Sequence, residues 1–223
     1  MQLYESIVAA VASASAFECV QGMVDSAMDR LTYALSILAG DPCLQIGQAL
    51  LLACRDIIFI DAASPEGCQV TDSSLSTWLC DDALFFTLIK SDSRTLVYSH
   101  TNKVLYYATP QAQLSPACPD NTALLCQFTV DTLPQESTPR LLAFDILQPR
   151  GVDPAERGEA LRALAVHMPA PLCCVQWVGP RRYLTQQFVA GLPHSAGKGF
   201  ALTLDVLRIA SVPFSWGGGS KDE

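Results

Sequence analysis

Leu84-Phe85-Phe86-Thr87-Leu88-Ile89-Lys90-Ser91-Asp92-Ser93-Arg94 is the stretch on which the reading of this 223-residue chain turns. Residues 84–89 are apolar except for Thr87, too short for a helix of ordinary length and without the alternation of a half-wet strand. That pattern predicts an apolar strand. Ser91-Asp92-Ser93 carries turn-forming side chains, and Thr95-Leu96-Val97-Tyr98 resumes the β-prone pattern. Strands at 83–90 and 94–99 are therefore expected, with a third at 103–108 beyond a turn at Thr101-Asn102.

Working outward, a Pro/Ala loop (109–120) leads to a strand at 122–131, and a polar loop (132–139) to a strand at 141–147. Asp56-Ile57-Ile58-Phe59-Ile60 reads as a buried strand, as do 199–204 and 207–212, with short apolar segments at 172–178 and 184–189. Helices are expected at 2–21 and 23–39, the second from the spacing of Met23, Ala27, Leu31, Leu35 and Leu38. Asp41-Pro42 has the form of a cap and first turn, predicting a third helix to about Cys54. Asp72-Ser73-Ser74 predicts a capped short helix through Leu79, and Asp153-Pro154-Ala155-Glu156 a helix through Val166. The sum is an α+β fold with mostly antiparallel sheet, divided into a helical region (1–55), a main domain (56–216) and a tail (217–223).

Composition narrows the function classes. Half the residues are hydrophobic and 16% are charged, with a mean hydropathy of +0.25. No apolar run reaches the ~18 residues of a membrane span, and no basic segment precedes the Ala/Val-rich N-terminus, so a soluble protein without membrane contact is expected. A net charge of −8 argues against an extended nucleic-acid surface. The only dense basic spot is Arg181-Arg182, beside Tyr183. The nine cysteines are scattered and odd in number, without a C-x-x-C pair or zinc spacing. They read as reduced core residues of an intracellular, reducing compartment, nuclear or cytoplasmic.

Lys90 is the most informative candidate for chemistry. A lysine at the exit of an apolar strand usually keeps its ammonium in water; walled by apolar side chains it is instead desolvated, which disfavours the ammonium and favours a nucleophilic amine. Arg94, four residues on, carries a planar fork suited to phosphate. Asp145, inside an apolar strand, needs a partner if buried, and structural pairing is expected rather than acid catalysis. Histidines 100, 167 and 194 are separated along the chain, and no G-x-S-x-G motif occurs. Gly197-Lys198-Gly199 lacks the Walker spacing. Asp81-Asp82 reads as a turn, and Trp177 and Trp216 as core or rim residues.

Taken in order, several segments resemble the catalytic domain of mRNA capping guanylyltransferases, relatives of the ATP-dependent DNA and RNA ligases. They are Leu84–Asp92, Val97-Tyr98, Val104–Tyr107, Thr122–Asp131, Leu141–Leu147, Phe188-Val189, Lys198–Leu202 and Pro213–Trp216. The resemblance spans about 62–216. It implies a nucleotidyltransferase fold in which Lys90, at the place of the lysine in K-x-D-G, attacks the α-phosphate of a nucleotide such as GTP. Asp92, Arg94, Phe144 and Lys198 would surround that nucleotide, Phe144 stacking on the base from Phe144-Asp145-Ile146-Leu147.

The departures from the family pattern carry their own implication. Ser93 replaces the motif glycine, Phe128 stands where the acid of D-G-E belongs, and Lys198 replaces the acid of E-G. Serine occupies the last lysine position near Phe214-Ser215-Trp216, and no OB-fold lid follows. Nucleotidyl transfer needs carboxylate-held metal, Mg or Mn, and cationic side chains to offset phosphate charge. The resemblance thus implies a pseudoenzyme that binds a nucleotide or an RNA 5′ end, or serves in an RNA-processing assembly. An active GMP transferase and a purely structural subunit are the alternatives. A protein partner would dock on the N-terminal helices, and no metal ligands are assigned.

Overall fold

The run at 84–89 becomes β4 (Leu84–Ser91), the middle strand of a seven-stranded sheet, which explains its lack of polar alternation. Every residue from Leu84 to Lys90 is buried. The computed structural model describes residues 27–43, 57–59, 71–80, 83–132, 137–148, 154–193, 199–204 and 207–209. Across the sheet the order is β1 (Ala39–Pro42), β6 (Val104–Ala108), β5 (Arg94–Ser99), β4, β7 (Ala123–Thr132), β8 (Ser137–Gln148) and β9 (Cys173–Val175). Neighbours pair antiparallel except β8 and β9, which are parallel. A smaller sheet places β3 (Leu75–Cys80) between β10 (Val178–Pro180) and β11 (Gly199–Thr203). β2 (Ile57–Phe59) pairs with β12 (Leu207–Ile209). Helices are α1 (Ala27–Leu38), α2 (Pro154–Leu164) and α3 (Gln186–Ala190). The architecture is α+β with mostly antiparallel sheets, as the sequence predicts.

Register assigns the faces. Successive strand residues point to opposite sides, so Leu84, Phe86, Leu88 and Lys90 share one face of β4, and Phe85, Thr87 and Ile89 the other. Phe86 pairs with Cys126, and Leu84 with Phe128; Phe128 meets Phe86 edge-on at 6.4 Å and Tyr33 of α1 at 6.2 Å. α1 therefore covers the Phe86 face, burying Leu31, Ala34 and Leu38 at helical spacing. Its C-terminal carbonyls, which lack intrahelical partners, are taken by Thr109: the Oγ1 donates to Ile37 O at 2.5 Å and the N–H to Leu38 O at 3.2 Å.

The small sheet and α2 lie on the opposite face. Gln127, paired with Phe85, donates through Nε2 to Trp78 O at 3.0 Å and accepts through Oε1 from Cys80 N–H at 3.1 Å. One carboxamide thereby joins the two sheets. α2 is fixed by Arg157, whose Nη1 lies 3.3 Å from Asp145 Oδ2, and its Gly158 packs near Val178 of β10.

Two expectations for local structure are corrected. Leu75–Cys80 is not a helix: Asp72-Ser73-Ser74 forms a turn, with Thr71 N–H donating to Ser74 Oγ at 3.0 Å, and the chain then becomes the central strand of the small sheet. Ser and Asp start turns as readily as helices, and pairing on both sides decides the outcome. Asp41-Pro42 is likewise no helix start. It ends edge strand β1, where a proline costs no ladder bond on the outer side, and Cys43 N–H continues the pairing to Leu105 O at 2.7 Å. The strand expected at 141–147 starts earlier, at Ser137. The helix expected at 2–21, the rest of the third helix, Asp81-Asp82, Lys198, Trp216 and the tail lie outside the described residues. No helix among the described residues is long and apolar enough to cross a membrane.

Candidate functional site

Lys90 is the last residue but one of β4, opposite Thr95 of β5. It is 1% exposed, so of the two readings its sequence position allows the desolvated one is seen. The cover is the 109–122 segment, which begins with a 3-10 turn at Pro110–Ala112 and buries Ala112, Leu114 and Cys118. That segment is tied to the strand ends: Leu114 N–H donates to Thr95 Oγ1 at 2.8 Å, and Gln113 Oε1 accepts from Thr95 N–H at 2.9 Å. Lys90 N–H donates to Thr122 O at 2.8 Å, and Asn121 N–H to Lys90 O at 2.9 Å.

The amine is engaged. Lys90 Nζ donates to the backbone carbonyl of Asp92 and lies 3.6 Å from Asp120 Oδ1. The hydrogen bond from a charged donor contributes about 1.5–3 kcal/mol. The Asp120 carboxylate is 57% exposed, so solvent screens that pair to about 1 kcal/mol or less. Lys90 thus joins the β4–β5 turn to the Asp120-Asn121 turn. The ammonium also acts on Cys118: burial pushes that thiol's pKa up, partly offset by a hydrogen bond with Thr122 and by the Lys90 charge.

The remaining candidates disperse. Asp92 offers its carbonyl to Lys90, while its side chain is exposed. Its φ of 48° places the left-handed residue of the turn at 92, so Ser93 occupies the motif-glycine position without needing glycine's freedom. Arg94 pairs with Ser91, one position out of phase with Lys90, and its guanidinium stacks 5.1 Å from the Tyr107 ring centroid. Phe144 is the extra residue of a β-bulge: Cys126 pairs with Ala143 and Leu125 with Asp145. Its ring is buried and packs edge-on against Phe85 at 6.2 Å, on the face opposite Lys90. The amine at 90 and the ring at 144 are not brought together. Lys198 lies outside the described residues.

The face shared by Phe85 and Phe144 holds most of the buried polar chemistry. Thr87 Oγ1 and His100 Nε2 share a hydrogen bond of 2.8 Å. Burial, helped by the Lys103 ammonium, pulls the His100 pKa down to about 3, so the imidazole is neutral. The pair has the composition of a nucleophile with its base, but both residues are sealed inside the protein. Asp145 accepts from Ile146 N–H at 2.8 Å and meets Arg157. Burial outweighs the guanidinium and lifts its pKa to about 6. Its pairing is structural, as the sequence predicts.

Sequence reasoning passed over Asp120, Gln127 and the Thr87–His100 pair. A polar signal was present for Gln127, a carboxamide inside Leu-Leu-Cys-Gln-Phe that burial obliges to find partners. Phe128 is a core ring, and among the described residues no group of three or more His, Cys, Asp or Glu is placed to hold an ion. No protein-family model matches the chain, and no curated protein matches it.

Proposed function

We propose that this chain is a non-catalytic, capping-enzyme-like nucleotidyltransferase-fold domain that serves within an RNA-processing assembly, contacting a nucleotide or an RNA 5′ end. One observation carries the reading: the amine of Lys90, the residue aligned with the family nucleophile, is spent on the Asp92 carbonyl and Asp120 beneath the 109–122 segment. A nucleophile must reach a phosphorus atom, and this one would first break both contacts and displace its cover. The missing acid at Phe128 supports the same reading, because negative charge on a leaving pyrophosphate would go uncompensated.

The test is incubation of the full chain with α-labelled GTP and Mg or Mn, followed by denaturing electrophoresis. No adduct is expected. An alkali-stable, acid-labile adduct that disappears in Lys90→Ala would overturn the proposal in favour of an active GMP transferase. GTP or an RNA 5′ end should raise the melting temperature, since a ligand bound only to the folded state stabilises it. Failure of both to do so would leave a purely structural subunit.

A further inference from the structure

Two arginines of the molecule meet carboxylates: Arg140 Nε lies 2.8 Å from Asp131, and Arg157 Nη1 3.3 Å from Asp145. Among the described residues, Arg181 and Arg182 do not. In a chain of net charge −8, two adjacent guanidinium groups without a carboxylate invite an anion from outside.

Their backbone is held in place. Arg181–Tyr183 is a 3-10 turn between β10 and α3. Arg181 N–H donates to Ser74 O at 2.9 Å, Arg182 N–H to Asp72 O at 3.0 Å, and Leu184 N–H to Arg181 O at 2.9 Å. Arg181 Nη1 donates to Thr203 Oγ1 at 3.2 Å, and that hydroxyl also bonds buried Ser76. The Arg182 guanidinium sits 5.0 Å from the Tyr183 ring centroid, with Nη2 donating to Tyr183 Oη at 3.3 Å. The ring itself is 53% exposed. A fixed turn therefore presents an open aromatic surface with a cation already stacked beside it.

We infer that Arg181–Tyr183 is a contact site for single-stranded nucleic acid, with one base stacking on Tyr183 and the adjoining phosphates held by Arg182 and Arg181. Stacking accepts any base because each has a π-face, and a guanidinium fork matches phosphate oxygens. Duplex bases are hidden in their own stack and cannot use the ring. An anionic membrane calls for about 4–8 clustered cations, and the turn has two. The chain's negative charge repels a long polyanion, so the contact spans one or two nucleotides and is sensitive to salt. It extends the RNA-contact part of the proposed function but uses residues away from Lys90, and it does not require kinship with capping enzymes.

Fluorescence anisotropy of a 5′-labelled oligouridylate, titrated with the full chain across a salt series, tests this. Saturable binding is expected, with a log–log salt slope of about −1.4 for two phosphates at about −0.7 each. Tyr183→Ala should weaken binding roughly ten-fold, the stacking contribution, while Tyr183→Phe keeps it within about two-fold. Arg182→Ala should halve the slope. Circular dichroism of each variant confirms that it folds. Absence of saturable binding, Tyr183→Ala binding like the parent, or equal affinity for a blunt duplex would overturn the inference. If oligouridylate fails while GTP or a 5′ end still raises the melting temperature, this site falls and the proposed function stands. A labelled Lys90 adduct would do the reverse.

Discussion

On one side of the seven-stranded sheet, Leu84, Phe86, Leu88 and Phe128 meet the rings and methyls of α1; on the other, Phe85 and Phe144 share the interior with Gln127, His100, Thr87 and Asp145. The first side is held by shape and apolar burial, with the charged Lys90 at the rim and Arg30 buried in the covering helix. The second depends on hydrogen bonds and one ion pair, several of them made between different elements: Gln127 to Trp78 and Cys80, Thr87 to His100, and Asp145 to Arg157. Lys90 leaves β4 on the apolar side, away from the Phe144 ring, and its amine meets the Asp92 carbonyl and the Asp120 carboxylate there.

The largest expected effect breaks the apolar side. Phe128 links Tyr33 of α1 to Phe86 of β4, so Phe128→Ala should cost about 3–5 kcal/mol through lost burial and a residual cavity. Urea unfolding measures it; a loss below about 1 kcal/mol would show that α1 does not seal this face.

The second prediction concerns acid and addresses the polar side. His100, held near 3 in the fold against an ordinary 6.5, contributes stability that is complete above pH 6.5 and drains as pH falls toward 3. Asp145, raised from 3.8 to about 6, acts oppositely: the fold takes up its proton first, so acidification through that window adds stability. Between pH 7 and 5 linkage gives a loss of about 2 kcal/mol from His100 and a gain of about 1 kcal/mol from Asp145, so the two largely offset each other. Asp145→Asn removes the compensation, and its stability should fall by about 2 kcal/mol over the same range. Parallel slopes for the variant and the parent in denaturant titrations at each pH would refute the opposition.

The smallest effect sharpens the comparison at Lys90. Lys90→Met keeps the buried stem and discards the charge, so it should change stability by less than about 1 kcal/mol, since an apolar replacement of a buried ion is often neutral. Lys90→Ala empties the space beneath the 109–122 segment and should cost about 2–3 kcal/mol. Equal losses in the two variants would mean that the charge, not the stem, holds the turns together.

Much of this fold was readable in advance because its central strands announce themselves. β4, β5, β6 and β7 fall within a residue or so of the expected spans, being long, apolar and separated by clear turn residues. Leu75–Cys80 was not, because Asp72-Ser73-Ser74 is ambiguous until β10 and β11 arrive from more than ninety residues away to pair on both sides. The apolar neighbours of Lys90 allow either a solvated or a desolvated ammonium, and only the fold decides for burial. Its partner Asp120 could not be read in advance either, since only the fold brings that turn alongside. The facing of Phe144 was hidden for a sharper reason. A single extra residue in β8 shifts the phase of everything before it relative to β7, and no feature of Ala143-Phe144-Asp145 marks the bulge.

Pro42 carries a consequence of a different kind. It ends the strand that is outermost in the large sheet among the described residues, and a proline brings no amide hydrogen to that border. An incoming strand from another molecule would find a missing rung there, so fibril-like growth along this margin is discouraged by the same residue that looked, in one dimension, like the start of a helix.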